Sequence, residues 1–205
     1  MTRKLEDIFS FLDKEYPNAK CALNYTKDYE FLIAVMLSAQ TTDNAVNKAT
    51  AVLFKKYPTI ESLANADLKD VTRIISFLGM YQKKAENVIS ISKLLIRDFD
   101  GKVPNNPAYL VTLPGVGNKT KNCVLGELYN VPLLAVDTHV QRISKRLKLV
   151  DENDSVETIE RKLTKLIPQQ RLIKTNHQII WFGRSRCKAM HPLCKDCPLA
   201  EYCKY

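Results

Sequence analysis

Apolar residues recur along most of this chain at intervals of three and four, which is the spacing of one face of an α-helix. The pattern is clearest in the segments 46–53, 85–99 and 156–167. The seven-residue run Phe31–Leu37 is apolar on every side, and its helical flanks favour a buried helix over a strand. No segment shows a convincing alternation of polar and apolar residues. The sequence therefore predicts an all-α fold.

Short polar side chains in front of these segments predict where helices begin. Asp67 precedes one helix, and Asp154 followed by Glu157 resembles a capping box at the start of another. Two further helices are expected around a glycine-containing turn, at 108–113 and 118–129. The 205 residues suffice for one large domain or two small ones with a sizeable core.

Charge is unevenly distributed along the chain. The formal net charge is +9, and residues 101–150 contain seven Lys or Arg against two Asp or Glu. A local basic excess suits a polyanion such as nucleic acid, although solvated lysines give the same pattern. The longest apolar run is too short to span a bilayer, and the N-terminus turns acidic at Glu6 where a signal peptide would be apolar. We expect a cytoplasmic protein that has no membrane segment.

The turn Pro114-Gly115-Val116-Gly117 precedes Asn118-Lys119-Thr120. Its glycines permit a tight turn that leaves no side chains in the way. Such a turn, running into a helix start, points free amide N–H groups outward, and these suit a phosphate. A plain helix–turn–helix corner is the alternative. The flanking residues favour the phosphate-binding interpretation, with Gly115, Val116 and Gly117 as contacts.

Lys119 falls in the first turn of the second of these helices. A cation there faces the positive end of the helix dipole, which costs roughly 0.3–1 kcal/mol. This penalty favours the neutral amine that a lysine nucleophile needs. A lysine that only contacts phosphate fits the position equally well.

Asp137 follows an apolar stretch and opens a helix in which Val140, Ile143 and Leu147 face inward. It is well placed as an N-cap. Capping is compatible with a second role, because an aspartate near a nucleophilic lysine can shuttle protons or stabilise positive charge on a sugar. His139 fits a structural role better than a catalytic one.

Four of the six cysteines lie within the last nineteen residues, spaced C-x6-C-x2-C-x5-C: Cys187, Cys194, Cys197 and Cys203. Four thiolates at short spacing can hold zinc or an iron–sulfur cluster. Zinc ribbons usually pair two C-x2-C knuckles, whereas this segment has one. The spacing therefore favours a 4Fe–4S cluster.

Together these motifs resemble the endonuclease III family of helix–hairpin–helix DNA glycosylases and abasic-site lyases. The resemblance rests on Leu113–Gly117, Lys119-Thr120, Val136–His139 and the cysteine spacing, and it extends to Leu37–Asp43 and Gly79–Asn87. It implies a two-domain, all-α architecture with a C-terminal cluster loop. A six-helix domain would span residues 22–131, and residues 1–21 with 132–205 would form the domain that carries the cluster.

The resemblance also implies the chemistry. Lys119 would attack the sugar of a flipped-out oxidised pyrimidine nucleotide, expel the base and form a Schiff base, and β-elimination would then cut the strand. Asp137 would assist base departure and proton transfers. The substrate would be double-stranded DNA with damaged pyrimidines or abasic sites, bound by a monomer.

Three further DNA contacts follow from the same resemblance. Gln40 and Met80 match positions that fill the gap left by the flipped nucleotide, and Lys188 would contact phosphate from the cluster loop. The chain departs from the family pattern at Asn118, where an arginine is frequent, and at Lys121, where a small residue is frequent.

Two alternatives stay open from the sequence. A mismatch-specific adenine or thymine glycosylase of the same superfamily is one, but monofunctional relatives lack the lysine found at 119. A non-catalytic DNA-binding module stapled by metal is the other.

Overall fold

The computed structural model describes residues 2–205, and these contain eleven α-helices and no strand. The predicted all-α class is therefore confirmed. Two short 3-10 turns, Gln169–Arg171 and Ala200–Tyr202, complete the regular structure. The helices are α1 (Arg3–Glu15), α2 (Asp28–Leu37), α3 (Asp43–Lys56), α4 (Ile60–Ala64), α5 (Leu68–Ile74), α6 (Tyr81–Phe99), α7 (Pro107–Leu110), α8 (Asn118–Tyr129), α9 (Thr138–Arg146), α10 (Val156–Leu166) and α11 (Leu172–Ser185).

The chain divides into two compact units. One is the continuous segment Ala22–Tyr129, and the other combines the N-terminal residues up to Cys21 with Asn130–Tyr205. The sequence-based division places the second boundary two residues later, after residue 131. No helix among residues 2–205 has the length and apolar character needed to cross a membrane.

Helix α2 forms the centre of the unit Ala22–Tyr129. Every residue of Phe31–Leu37 is at most 2% exposed, and α2 packs against α3, α6 and α8. A helix that is apolar all round is stable only when neighbours cover every face. The seven-residue apolar run is therefore the central helix of this unit, as its sequence predicts.

The second unit joins the two ends of the chain around one apolar core. Helix α11 packs against both α1 and α9. The rings of Phe11 and Phe182 meet edge-on with centroids 5.2 Å apart, and Tyr16 lies against the same Phe182 ring. The N-terminal helix is thus held by the segment that leads directly into the four cysteines.

Two of the predicted helix boundaries need correction. The N-cap of α10 is Ser155, whose Oγ accepts the amide hydrogen of Thr158 at 3.2 Å. Asp154 instead accepts the amide of Asp151 at 2.8 Å and pairs with Lys162 at 2.7 Å, so its carboxylate is already engaged. Helix α7 spans Pro107–Leu110 rather than 108–113, because Asn106 caps it and the chain turns after Leu110.

Candidate active site

The hairpin between α7 and α8 is a tight turn centred on Gly115, which adopts φ +79°. Residues other than glycine rarely occupy this left-handed region. The Val116 amide donates to the carbonyl of Leu113 at 3.1 Å, and both of these apolar side chains are buried. The buried side chains of Leu113 and Val116 thus anchor the turn, while Gly115 and Gly117 stay exposed.

The two glycines of the hairpin serve different purposes. A Cβ atom on Gly115 would lie 2.6 Å from Asn87 Nδ2 and 3.1 Å from Met36 Cγ, so buried side chains of α6 and α2 fill the space beneath it. A Cβ atom on Gly117 would meet nothing within 4 Å. The first glycine therefore permits internal packing, and the second borders open space.

Lys119 lies in the first turn of α8, directly after the hairpin, and its side chain is exposed. The first hydrogen bond of this helix runs from the Lys121 amide to the Gly117 carbonyl at 2.9 Å. The amides of residues 118–120 precede that bond, and such amides have no partner within their own helix. Lys121 Nζ donates to Asn118 Oδ1 at 3.2 Å, which draws a second ammonium group back toward the same helix end.

Asp137 caps α9, as the sequence predicts. Its Oδ1 accepts the Val140 amide at 2.8 Å, and the side chain is half-buried. Val140 and Ile143 face inward from the same helix. His139 is also half-buried, with its Nδ1 3.2 Å from Arg142 Nη2, and burial lowers the pKa of this imidazole.

The four C-terminal cysteines line one cavity of about 70 Å³. A water molecule needs only roughly 10–15 Å³ of such space, so the cavity has room for a larger group. Arg146, Phe182, Leu199 and Tyr205 complete much of its wall. Within residues 2–205, no three His, Cys, Asp or Glu side chains converge as they would around a single metal ion. The four thiols share the wall of one cavity.

The buried Arg146 and the half-buried Arg142 hold the segment that contains these cysteines. Arg146 Nη1 donates to Cys187 Sγ at 3.3 Å and to the Lys188 carbonyl at 2.8 Å, and its Nη2 donates to the Ala189 carbonyl at 3.2 Å. Arg142 Nη2 donates to the carbonyl of Cys187 at 2.9 Å. Burial raises the pKa of the Cys187 thiol, and the Arg146 guanidinium beside it opposes that rise.

In the sequence these two arginines are only two of the seven Lys or Arg residues between positions 101 and 150. Their i, i+4 spacing places them on one face of α9, and that spacing was the available signal of a shared role. Arg186 makes a third such contact, since its Nη2 donates to the carbonyls of Lys195 and Asp196 at 3.1 and 2.7 Å.

The remaining predicted contacts are all at the surface. Gln40 and Met80 are exposed, and both adopt positive φ, at 53° and 55°. Lys188 is exposed on the loop between the first two cysteines. Met190, in the same loop, is 78% exposed.

The family model described as "HhH-GPD superfamily base excision DNA repair protein" matches residues 33–169. Endonuclease III of Bacillus subtilis (strain 168) is 42% identical over 203 residues, covering 98% of this chain and 93% of that protein. Endonuclease III of Escherichia coli (strain K12) is 38% identical over 199 residues, covering 97% and 94%.

Comparison with solved structures also finds similarity to endonuclease III. A trapped endonuclease III–DNA covalent intermediate superposes with a TM-score of 0.93 at 41% identity, covering all of this chain and 97% of that one. A thermostable thymine-DNA glycosylase superposes with a TM-score of 0.85 at 22% identity, which shows a shared fold alone.

These similarities confirm the predicted family, enzyme class and nucleic-acid partner. The chain is a DNA glycosylase and abasic-site lyase for oxidised pyrimidines, and its substrate is double-stranded DNA. It belongs to the helix–hairpin–helix superfamily of base excision DNA repair proteins.

Proposed function

We propose that Lys119 is the nucleophile with which this enzyme removes an oxidised pyrimidine and then cuts the strand. The observation that carries the proposal is its position: an exposed amine one residue into the helix that follows the open Gly117. In the first step, Nζ forms a bond to C1′ of the sugar while the bond from C1′ to the base breaks. The ring then opens to a Schiff base, and loss of a C2′ proton expels the 3′ phosphate.

The hairpin is proposed to bind the DNA backbone close to this amine. The amides of residues 118–120 and the positive end of the α8 dipole favour a phosphate, and Gly115, Val116 and Gly117 form the turn that presents them. Contacts of this kind touch only the backbone and do not read the base. The hairpin would therefore bring any lesion to Lys119, and the base pocket would choose among lesions.

Asp137 is proposed to move protons during base departure and elimination. Its cap uses Oδ1, which fixes the carboxylate at the start of α9. Proton transfer by a positioned carboxylate typically accelerates a reaction by about 10²–10⁴-fold. The cap and the proposed proton transfer are compatible, because a capping carboxylate keeps a second oxygen.

A 4Fe–4S cluster is the cofactor that we propose for the cysteine segment. Cys187, Cys194, Cys197 and Cys203 would be its ligands, and the cavity that they line supplies the four thiol donors which such a group requires. When bound, the cluster would tie the C-terminal loop together and present Lys188 to a phosphate. Iron and sulfide analysis of anaerobically purified protein tests this assignment, and stoichiometric zinc without iron would overturn it.

Gln40 and Met80 are proposed to occupy the space that a flipped nucleotide leaves in the duplex. Both are exposed, and an amide and a thioether can replace part of the lost stacking. The protein would act as a monomer on DNA in the cytoplasm.

Borohydride trapping on abasic-site DNA tests the central step, because reduction of a Schiff base leaves a stable covalent adduct. We expect trapping by the native chain and none by Lys119→Gln. Lys121→Gln is the matched control, since it removes a lysine from the same helical turn and should still trap. Loss of the adduct in Lys121→Gln alone would move the nucleophile to that residue. Absence of any adduct with the native chain would favour a monofunctional glycosylase or a non-catalytic module.

A further inference from the structure

Lys84 is a buried lysine in the first turn of α6, only 3% exposed. Its Nζ donates to the Ala39 carbonyl and to Thr41 Oγ1, each at 2.8 Å. Burial lowers the pKa of this amine. Burying an ammonium group is costly unless its protons are accepted. The hydrogen bonds to these two neutral acceptors therefore stabilise the Lys84 side chain in the protein interior, where an unpaired ammonium group would be unstable.

The two acceptors flank Gln40 on either side. Gln40 adopts φ +53°, a conformation that is uncommon outside glycine and persists only where the surroundings impose it. Its own side chain points to the exposed surface of the turn. The ammonium group of Lys84 thus fixes the backbone immediately before Gln40 and the side chain immediately after it.

A second strained turn adjoins the first. Met80 precedes α6 with φ +55° and is 55% exposed. The Lys84 amide donates to the Met80 carbonyl at 3.0 Å. A Cβ atom on Gly79 would lie 3.8 Å from the Gln40 carbonyl oxygen, so the two turns are neighbours. Lys84 is therefore bonded to both turns, through its backbone to one and through its side chain to the other.

We propose that Lys84 is a positioning residue that clamps the Gln40 and Met80 turns together, so that both side chains enter the duplex as one unit. The inference rests on the proposed gap-filling role of Gln40 and Met80. Lys84 itself touches no DNA in this scheme, since its side chain is buried and its ammonium group donates to two protein acceptors.

The clamp matters where a nucleotide must leave a paired helix. Gap filling there depends on geometry, and a displacement of about 1 Å in a positioned group can cost about 100-fold in rate. An abasic site in single-stranded DNA needs no gap to be filled. Loss of the clamp should thus slow reactions on duplex DNA and spare the lyase reaction on a single strand.

The test compares Lys84→Met with Lys83→Met. Lys83 is the matched control, because it precedes Lys84 on the same helix but is 74% exposed and pairs with Glu86 at 2.9 Å. Single-turnover excision of a ring-oxidised thymine from a fully paired duplex is measured beside lyase cleavage of an abasic single strand. For Lys84→Met we expect excision to fall by about 10- to 100-fold. Single-strand cleavage should stay within about twofold, and Lys83→Met should match the native chain in both assays.

Two more variants separate positioning from folding. Thr41→Val removes one acceptor while leaving the lysine, and it should lower the ratio of duplex to single-strand rates in the same direction. Lys84→Arg keeps a donor and should recover part of that ratio. Thermal unfolding shows whether each variant is folded. If Lys84→Met does not fold, the ratio of duplex to single-strand rates of Thr41→Val tests the proposal instead.

The outcomes are distinguishable from failure of the proposed function. If the native chain traps on abasic DNA and excises the lesion while folded Lys84→Met keeps the native ratio, the clamp is wrong and the chemistry stands. Equal losses in both assays would also overturn the clamp. A native chain that does neither reaction refutes the proposed function itself.

Discussion

Asn87 Nδ2 lies 2.6 Å from where a methyl group on Gly115 would be, so the hairpin turn rests directly on a buried amide of α6. The segments that contain these two residues are separate motifs in the sequence. Their contact explains why a glycine is needed at 115 for two reasons at once, the φ of +79° and the absent side chain.

Gly115→Ala should therefore destabilise the fold. A strained left-handed alanine costs about 1–3 kcal/mol, and the contact with Asn87 adds to this.

Gly117→Ala should leave the free energy of unfolding within about 0.5 kcal/mol of the native value, because a Cβ there meets no atom within 4 Å. It should nevertheless weaken binding to abasic-site DNA, since the methyl group faces the proposed phosphate. Urea unfolding and a DNA titration at fixed salt measure the two effects. Equal stability of the two variants would contradict this account of the turn.

Asp137 offers a way to separate capping from chemistry. Serine is about as good an N-cap as aspartate, so Asp137→Ser should keep α9 intact, whereas Asp137→Ala should cost about 0.5–2 kcal/mol. If the carboxylate moves protons, both variants should lose about 10²–10⁴-fold in single-turnover excision. Thermal unfolding and excision kinetics are the two readouts. Full activity in Asp137→Ser would reduce this residue to a cap.

Arg146→Met should loosen the cysteine segment. The substitution removes the guanidinium donor from the carbonyls of Lys188 and Ala189, and each lost hydrogen bond should cost about 0.5–1.5 kcal/mol. We expect less bound iron per chain and a lower unfolding midpoint. Lys145→Met, on the same helix, is the control and should retain iron. Native iron content in Arg146→Met would show that the cysteines alone fix the segment.

The charge cluster around Asp13 predicts how stability depends on pH. Burial raises the pKa of this carboxyl group, but hydrogen bonds from Lys174, Gln178 and Arg171 outweigh burial and lower it to about 2. A depressed folded-state pKa contributes stability that is present above the unfolded value of 3.8 and is lost as pH falls toward 2. Asp13→Asn should be less stable than the native chain at pH 7, and the difference should shrink between about pH 4 and 2. Urea unfolding across that range checks this, and a gap independent of pH would contradict it.

Local sequence signals predicted a structural feature correctly wherever the contacts that determine this feature lie within one helical turn of the chain. The α8 bounds and the cap at Asp137 depend on neighbours at most four residues away. The incorrect N-cap prediction for α10 has the same explanation, because a contact beyond one helical turn is involved. Asp154 and Ser155 are both good capping residues, and a distant partner, Lys162, helps to engage Asp154 elsewhere.

The sequence by itself determined the all-α class, the glycine hairpin, the spacing of the four cysteines and, through their combination, the family. Only the tertiary structure decided which charged side chains are interior. Arg146 and Lys84 look like ordinary surface cations in the sequence, yet they bind backbone carbonyls 42 and 45 residues away along the chain. The physical reason is that a buried cation is stable only where folding brings acceptors to it, and no local pattern encodes which carbonyls those will be.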